Sequence, residues 1–185
     1  MRIISGTARG TKLYTLEGDN TRPTLDRVKE PLFSIIQNKI KDSIVLDLFS
    51  GSGALALEAL SRGAKKAILC DNSFKAIEVI KKNIEKTHFE QKAKLLCMDY
   101  KKCLNKINEK IDLIFLDPPY EANIAVKSLE IIINNNLLSE DGLIVLETDN
   151  EKRELEQIKN LKNNINVYDL RTYGRVKLIF LNGEG

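Results

Sequence analysis

From residue 44 onward, short apolar runs alternate with segments whose apolar residues recur at helical spacing. IVLDLF (44–49), AILCD (67–71), KLLCM (94–98), IDLIFLD (111–117) and LIVLE (143–147) are apolar almost throughout, as strands buried on both faces are. Between them, Leu55, Ala59 and Leu60 mark one helix, and Phe74, Ile77, Ile80 and Ile84 mark the next. A helix over about 122–133 follows the fourth strand, which two prolines must end, and Leu155, Ile158 and Leu161 mark another. INVYDL (165–170) and VKLIFL (176–181) have Gly174 but no helix between them, so an antiparallel hairpin is expected. Strands alternating with helices imply an α/β fold with a mostly parallel sheet covered on both faces.

The first 41 residues read differently. RIIS and TKLYTL alternate around a turn between Gly6 and Gly10, which predicts a short β-rich arm. Val28, Leu32, Ile35, Ile36 and Ile40 predict a helix over 24–40, with Thr24 as its N-cap. Pro31 lies inside that helix and should kink it or delay its start, because proline lacks an amide donor. The chain therefore divides into an arm and helix (1–41) and an α/β domain (42–185).

Composition narrows the class. With 43% hydrophobic and 30% charged residues the chain is globular, which excludes disorder as its main state. No apolar run approaches the ~18 residues of a membrane helix, so no membrane span is expected. MRIISGTARG lacks the apolar stretch of a secretory signal, and a cytoplasmic protein is expected. Cys70, Cys97 and Cys103 lack metal-ligand spacing and read as reduced thiols, with no metal site. The formal charge of +3 is uneven. Residues 1–41 carry eight Lys/Arg against four Asp/Glu, and the other 144 carry 21 against 22. A basic surface on a neutral body suits a polyanion such as nucleic acid, or is an ordinary solvated face.

Ligands of parallel α/β sheets bind beyond the carboxyl ends of the strands. Three strands here end in acids followed by turn residues. The first gives Asp47-Leu48-Phe49-Ser50-Gly51-Ser52-Gly53, whose glycines let backbone approach a ligand and open a helix N-terminus onto it. It is neither a Walker loop nor a full GxGxxG, and a tight structural turn is the other reading. Asp71 lies 20 residues past Gly51, about the offset at which an acid reaches the ribose of an adenosine ligand. It could equally be a turn acid or helix cap. Asp99, after the third strand, could accept from an adenine amino group or cap a helix over 100–107.

Asp117-Pro118-Pro119-Tyr120 is the fourth feature. Two prolines stiffen this loop, so a carboxylate and a carbonyl are held in one geometry. An amino group conjugated with its ring is a poor nucleophile and must rehybridise and shed a proton to attack a methyl group. The Asp117 carboxylate and Pro118 carbonyl could grip its two N–H bonds and disperse the developing charge. Tyr120 would stack on the flipped base. A strand-ending turn is the plainer reading of the tetrapeptide.

Together, DLFSGSG, the acid of the second strand and DPPY resemble the S-adenosylmethionine-dependent amino-methyltransferases. MRIISGTARGTKL, RPTLDRVKEPLF (22–33), VLDLFSGSGALALEALSRGA (45–64) and DLIFLDPPY (112–120) are similar to the bacterial 16S ribosomal RNA guanine-N2 methyltransferase family. RPTLDRVKE is the most specific block, and the resemblance extends to TYGRVKLIFL. It implies a Rossmann-like class I methyltransferase with a seven-stranded, mostly parallel sheet, a C-terminal antiparallel hairpin and a small N-terminal addition. It implies a monomer that methylates N2 of one guanine of 16S rRNA in assembled or nearly assembled small subunits. Carried over by position, Asp47, Phe49, Ser50, Gly51 and Gly53 hold the methionine end of S-adenosylmethionine, Asp71 the ribose and Asp99 the adenine. Asp117, Pro118, Pro119 and Tyr120 form the catalytic loop, and Arg9, Arg22 and Arg27 face RNA unless Asp26 and Glu30 pair with them. Ala56, Pro31 and Asp71 depart from the family pattern, and none removes a catalytic atom.

Rival readings differ in what they require. A DNA adenine-N6 or cytosine-N4 methyltransferase shares the DPPY logic but usually carries a target-recognition region, for which 185 residues leave little room. A release-factor glutamine methyltransferase would show Asn at position 117. A nicotinamide dehydrogenase has no use for DPPY, and His88, the only histidine, falls at a helix end. A catalytically silent RNA-binding assembly factor would not need DPPY intact.

Overall fold

The computed structural model describes residues 1–16, 23–119, 123–161 and 165–183, with side chains of its first helix from residue 28 onward. That helix, α1 (Pro23–Ile35), leads through a 3-10 turn (Gln37–Lys39) into β1 (Ile44–Asp47). There follow α2 (Ala54–Ser61), β2 (Lys66–Asp71), α3 (Phe74–Thr87), β3 (Ala93–Cys97), α4 (Tyr100–Lys106) and β4 (Ile111–Leu116). The chain closes with α5 (Ile124–Asn134), β5 (Leu138–Thr148), α6 (Glu151–Lys159), β6 (Ile165–Tyr173) and β7 (Val176–Gly183).

The seven strands form one sheet in the order β3-β2-β1-β4-β5-β7-β6. Only β7 runs against its neighbours, pairing antiparallel with both β5 and β6. The expected hairpin is therefore present, with β7 inserted between β5 and the edge strand β6. Alternate side chains of each strand point to opposite faces, and each face carries its own core. Val45, Leu113 and Phe115 pack under α1, α2, α3 and the arm. Leu46, Ile114 and Leu116 pack under α4, α5 and α6.

Five expectations are corrected. Helix α1 begins at Pro23, so Thr24 lies inside its first turn and is not the N-cap. Proline suits a first helical position, where its missing amide costs nothing. The helix neither starts late nor stops at Pro31, and the helical run expected to reach 40 ends at Ile35 before the 3-10 turn. Phe74 belongs to α3 as expected but is 76% exposed and does not share the buried face of Ile77, Ile80 and Ile84, because it opens the helix before it meets the sheet. β5 starts at Leu138, five residues before LIVLE, with a register break between Ile111↔Leu138 and Leu113↔Leu143. Exposed Glu140 and Asp141 fall at that break and hide the strand from an apolar pattern.

The arm is the fifth. Its two halves do turn back on each other, with Ile3 N–H donating to Thr11 O at 3.0 Å and Leu13 N–H to Met1 O at 3.0 Å. Among the described residues the one isolated bridge is Arg2↔Lys12. Four further amides of the arm go to α2. Ile4 and Ser5 N–H donate to the two oxygens of Glu58 at 2.8 and 3.0 Å. Thr7 N–H donates to Ser61 O at 2.9 Å, and Ala8 N–H to Ser61 Oγ at 3.0 Å. Glu58 is fully buried and also pairs with Lys29 at 3.2 Å and Arg62 at 2.7 Å. Lys29, itself 2% exposed, donates to Arg2 O as well.

Candidate active site at the carboxyl ends of the strands

A cleft of about 630 Å³ lies beyond the carboxyl ends of β1, β2, β3 and β4. Phe49, Gly51, Asp71, Asp99, Asp117 and Pro119 line it, so one cavity gathers residues from all four strand ends singled out in the sequence. Leu48, Asn72, Met98, Tyr100, Lys101 and Ile124 complete the lining and were not anticipated. Tyr100 and Lys101 directly follow Asp99, so the residues just past a strand-ending acid are the signal that could have found them.

The glycine loop is built by backbone. Ser50, 7% exposed, donates its N–H to Cys70 O at 2.9 Å and its Oγ–H to Asp47 O at 2.7 Å. Gly53 N–H donates to Ser50 O at 2.6 Å, closing the turn into α2. The two glycines are needed for different reasons. Gly51 has φ +54° with nothing within 4 Å of where a Cβ would stand, so its backbone faces open space. Gly53 has φ +78°, and a Cβ there would meet Leu69 at 3.0 Å. Gly51 therefore leaves room for a ligand, and Gly53 allows helix and sheet to pack.

Asp71 is tied into this loop. Its carboxylate accepts from Gly51 N–H at 2.9 Å and Ser73 N–H at 2.8 Å, while Ser73 Oγ caps α3 at Ala76 N–H. Asp99 caps α4, accepting from Lys101 N–H at 2.9 Å, and lines the cleft as well. The helix-cap reading of Asp99 is thus observed, at a position in the lining of the cleft. The ring of Tyr100 stands 5.6 Å from that of Phe49, and burial, then Asp99, raises its phenol pKa.

Asp47, Ser50, Gly53 and Pro118 stand behind the cleft wall rather than in its lining. Asp47 is 3% exposed and accepts from Ala56 N–H at 3.3 Å in the first turn of α2. Burial raises its carboxyl pKa to about 7; the Ala56 amide opposes the rise, and the charges of Asp117 and Asp71 add to it. A cluster of carboxylates that repel one another around an open cleft is built for a cation.

Tyr120 and Arg22 lie outside the described residues, as does the side chain of Arg27. Arg9 is exposed on the turn of the arm beside Ser61, at the end of α2 away from the cleft. Eight helical residues separate the two ends of α2 by about 12 Å. His88 caps the C-terminal end of α3, exposed.

The sheet order, its single antiparallel strand and a cleft at the first four strand ends define the class. This is a Rossmann-like α/β methyltransferase fold, whose members draw their methyl group from S-adenosylmethionine. Residues 1–182 match the family described as Conserved hypothetical protein 95, and the chain belongs to that family. The ribosomal RNA small subunit methyltransferase D of Haemophilus influenzae is 38% identical over 156 residues, spanning 82% of this chain and 80% of that protein. The Escherichia coli protein of the same name is 34% identical over 151 residues, 82% of this chain and 76% of that one. A solved Escherichia coli structure superposes with a TM-score of 0.85 at 30% identity, covering 100% of this chain and 98% of that one. No helix among the described residues is long and apolar enough to cross a membrane.

Proposed function

We propose that the protein methylates the exocyclic N2 amino group of a guanine in 16S rRNA within the small ribosomal subunit, acting as a cytoplasmic monomer. The observation that carries this reading is the single cleft in which the open glycine loop, Asp71, Asp99 and Asp117 meet. The small subunit methyltransferases that resemble the chain across four fifths of its length support the substrate class. The residues fit S-adenosylmethionine. Free space over Gly51 admits a ligand against backbone, and the carboxylates complement a sulfonium and an ammonium group. Phe49, Met98, Tyr100 and Ile124 offer an apolar wall to a nucleoside.

S-adenosylmethionine, when bound, supplies an electrophilic methyl group. The chain's own residues prepare the nucleophile. The guanine amine exchanges one N–H bond for an N–CH3 bond, so it must lose a proton. Asp117 accepts that N–H and takes up the proton as the lone pair is committed to the new bond. The Pro118 carbonyl accepts the other N–H, and Tyr120 stacks on the base. Asp71 and Asp99 receive ribose and adenine. Arg9, Arg22 and Arg27 belong to the arm and helix of residues 1–41, which face the RNA.

Asp117→Ala should bind S-adenosylmethionine within about twofold of wild type and lose at least ~10²-fold in turnover, the scale of a missing acid–base group. Equilibrium binding and single-turnover methyl transfer check this, and full turnover by the variant would refute the role.

A further inference from the structure

Tyr14 lies where the arm leaves the body of the protein, and its backbone is clamped. Its N–H donates to Asn83 Oδ1 at 2.8 Å, and its carbonyl accepts from Asn83 Nδ2 at 3.0 Å. Asn83, fully buried on α3, also donates to the Ser52 carbonyl of the glycine loop at 2.9 Å. One side chain therefore holds both the exit of the arm and the loop that lines the cleft. The Tyr14 ring points outward, 50% exposed, with Lys86 Nζ 4.5 Å from its centroid.

The surroundings of the ring are basic. Side chains two apart on an extended segment share a face, and so do cross-strand partners. Lys12 and Tyr14 are exposed while Leu13 between them is buried, and Arg2 bridges Lys12. Arg2, Lys12 and Tyr14 thus form the outer face of the arm. Lys82 and Lys86, one turn apart and both exposed on α3, extend it. Residues 1–16 contain no acid, and Glu85 is the only exposed acid between Lys82 and Lys86.

We propose that Tyr14, with Lys86 and Lys82 beside it, is a docking surface for the RNA acceptor: the ring stacks on an unpaired base and the lysines meet neighbouring phosphates. A half-exposed aromatic with cations beside it is what single-stranded RNA recognition uses. The Asn83 clamp fixes the Tyr14 backbone, so little main-chain freedom is lost there on binding. It also fixes the surface relative to the glycine loop, which places bound RNA beside the cleft. The inference rests on the RNA-methyltransferase reading above.

The test is binding of unmodified small ribosomal subunits across a salt series, with S-adenosylmethionine affinity and thermal unfolding measured alongside. Tyr14→Leu should weaken subunit binding roughly tenfold, the effect of losing one stacked base. Tyr14→Phe keeps the ring and should bind like wild type. Lys86→Gln should lower the slope of log affinity against log salt by about 0.7, as loss of one phosphate contact does. All three should bind S-adenosylmethionine and unfold as wild type does. Wild-type subunit affinity and salt slope in Tyr14→Leu and Lys86→Gln would overturn the inference and leave the function standing. No subunit binding by the wild-type protein would overturn both.

Discussion

At the end of β1 the Asp47 carboxyl group sits at 3% exposure with its pKa raised to about 7, burial being the largest cause. The unfolded chain ionises it near 3.8. Between those values the native state holds a proton that the unfolded state has lost, so this group lowers stability as pH rises from about 4 to 7. Asp47→Asn keeps an acceptor for Ala56 N–H and removes the charge. At pH 8 it should raise the melting temperature by several degrees, a few kcal/mol in a domain of this size, and at pH 4 the difference should close. A lower melting temperature at pH 8 would show that the buried charge is stabilising. On the proposed function, the same carboxylate would counter the charge of a cation bound in the cleft. Wild-type affinity for S-adenosylmethionine should therefore strengthen between pH 6 and 8, and Asp47→Asn should lose that dependence. Titrations at three pH values would show it. Asp47 was legible as a strand-ending acid, but its charge state was not, because burial and two distant carboxylates set it.

Helix α2 joins the arm to the cleft, and its two ends make separate predictions. Glu58 receives two arm amides and two cations in full burial. Glu58→Ala would take the carboxylate counter-charge from the buried Lys29, a loss of about 3–5 kcal/mol. Urea unfolding should show it, and a change under 1 kcal/mol would mean that water reaches the gap. At the other end, Gly51→Ala and Gly53→Ala both place a Cβ on left-handed backbone. Gly53→Ala should cost more stability, because it also meets Leu69. Gly51→Ala should cost about 1–2 kcal/mol of stability and far more in ligand affinity, since its Cβ enters the cleft. Equal losses of both properties in both variants would contradict this division. Strands β1, β2 and β4 were legible because buried parallel strands are continuously apolar, whereas the start of β5 was hidden by Glu140 and Asp141. The Lys29–Glu58 pair was not, because helical spacing tracks apolar residues and a buried lysine breaks the pattern. The arm's alternation was real and its halves pair at one bridge, yet the amides of Ile4, Ser5, Thr7 and Ala8 turned to α2.

Across the whole molecule, charge is divided by task. The cleft gathers Asp71, Asp99 and Asp117, with Asp47 behind them, and favours a cation. The arm and the exposed face of α3 carry Arg2, Lys12, Lys82 and Lys86, and favour a polyanion. A cationic methyl donor and an RNA acceptor would each be drawn to its own side of the glycine loop. The mostly parallel sheet followed from the alternation of strands and helices, its strand order did not, and the cleft followed from the rule that ligands sit at carboxyl strand ends. The distance of Arg9 from the cleft did not, because it depends on where the arm's turn meets α2. The central claim is the chemistry at one base. Its most direct test is to incubate the protein with labelled S-adenosylmethionine and unmodified small subunits, naked 16S rRNA or duplex DNA, then digest and identify the labelled nucleoside. N2-methylguanosine from the subunits is the expected product; label in DNA adenine or cytosine, or in any other nucleoside, would refute guanine-N2 transfer.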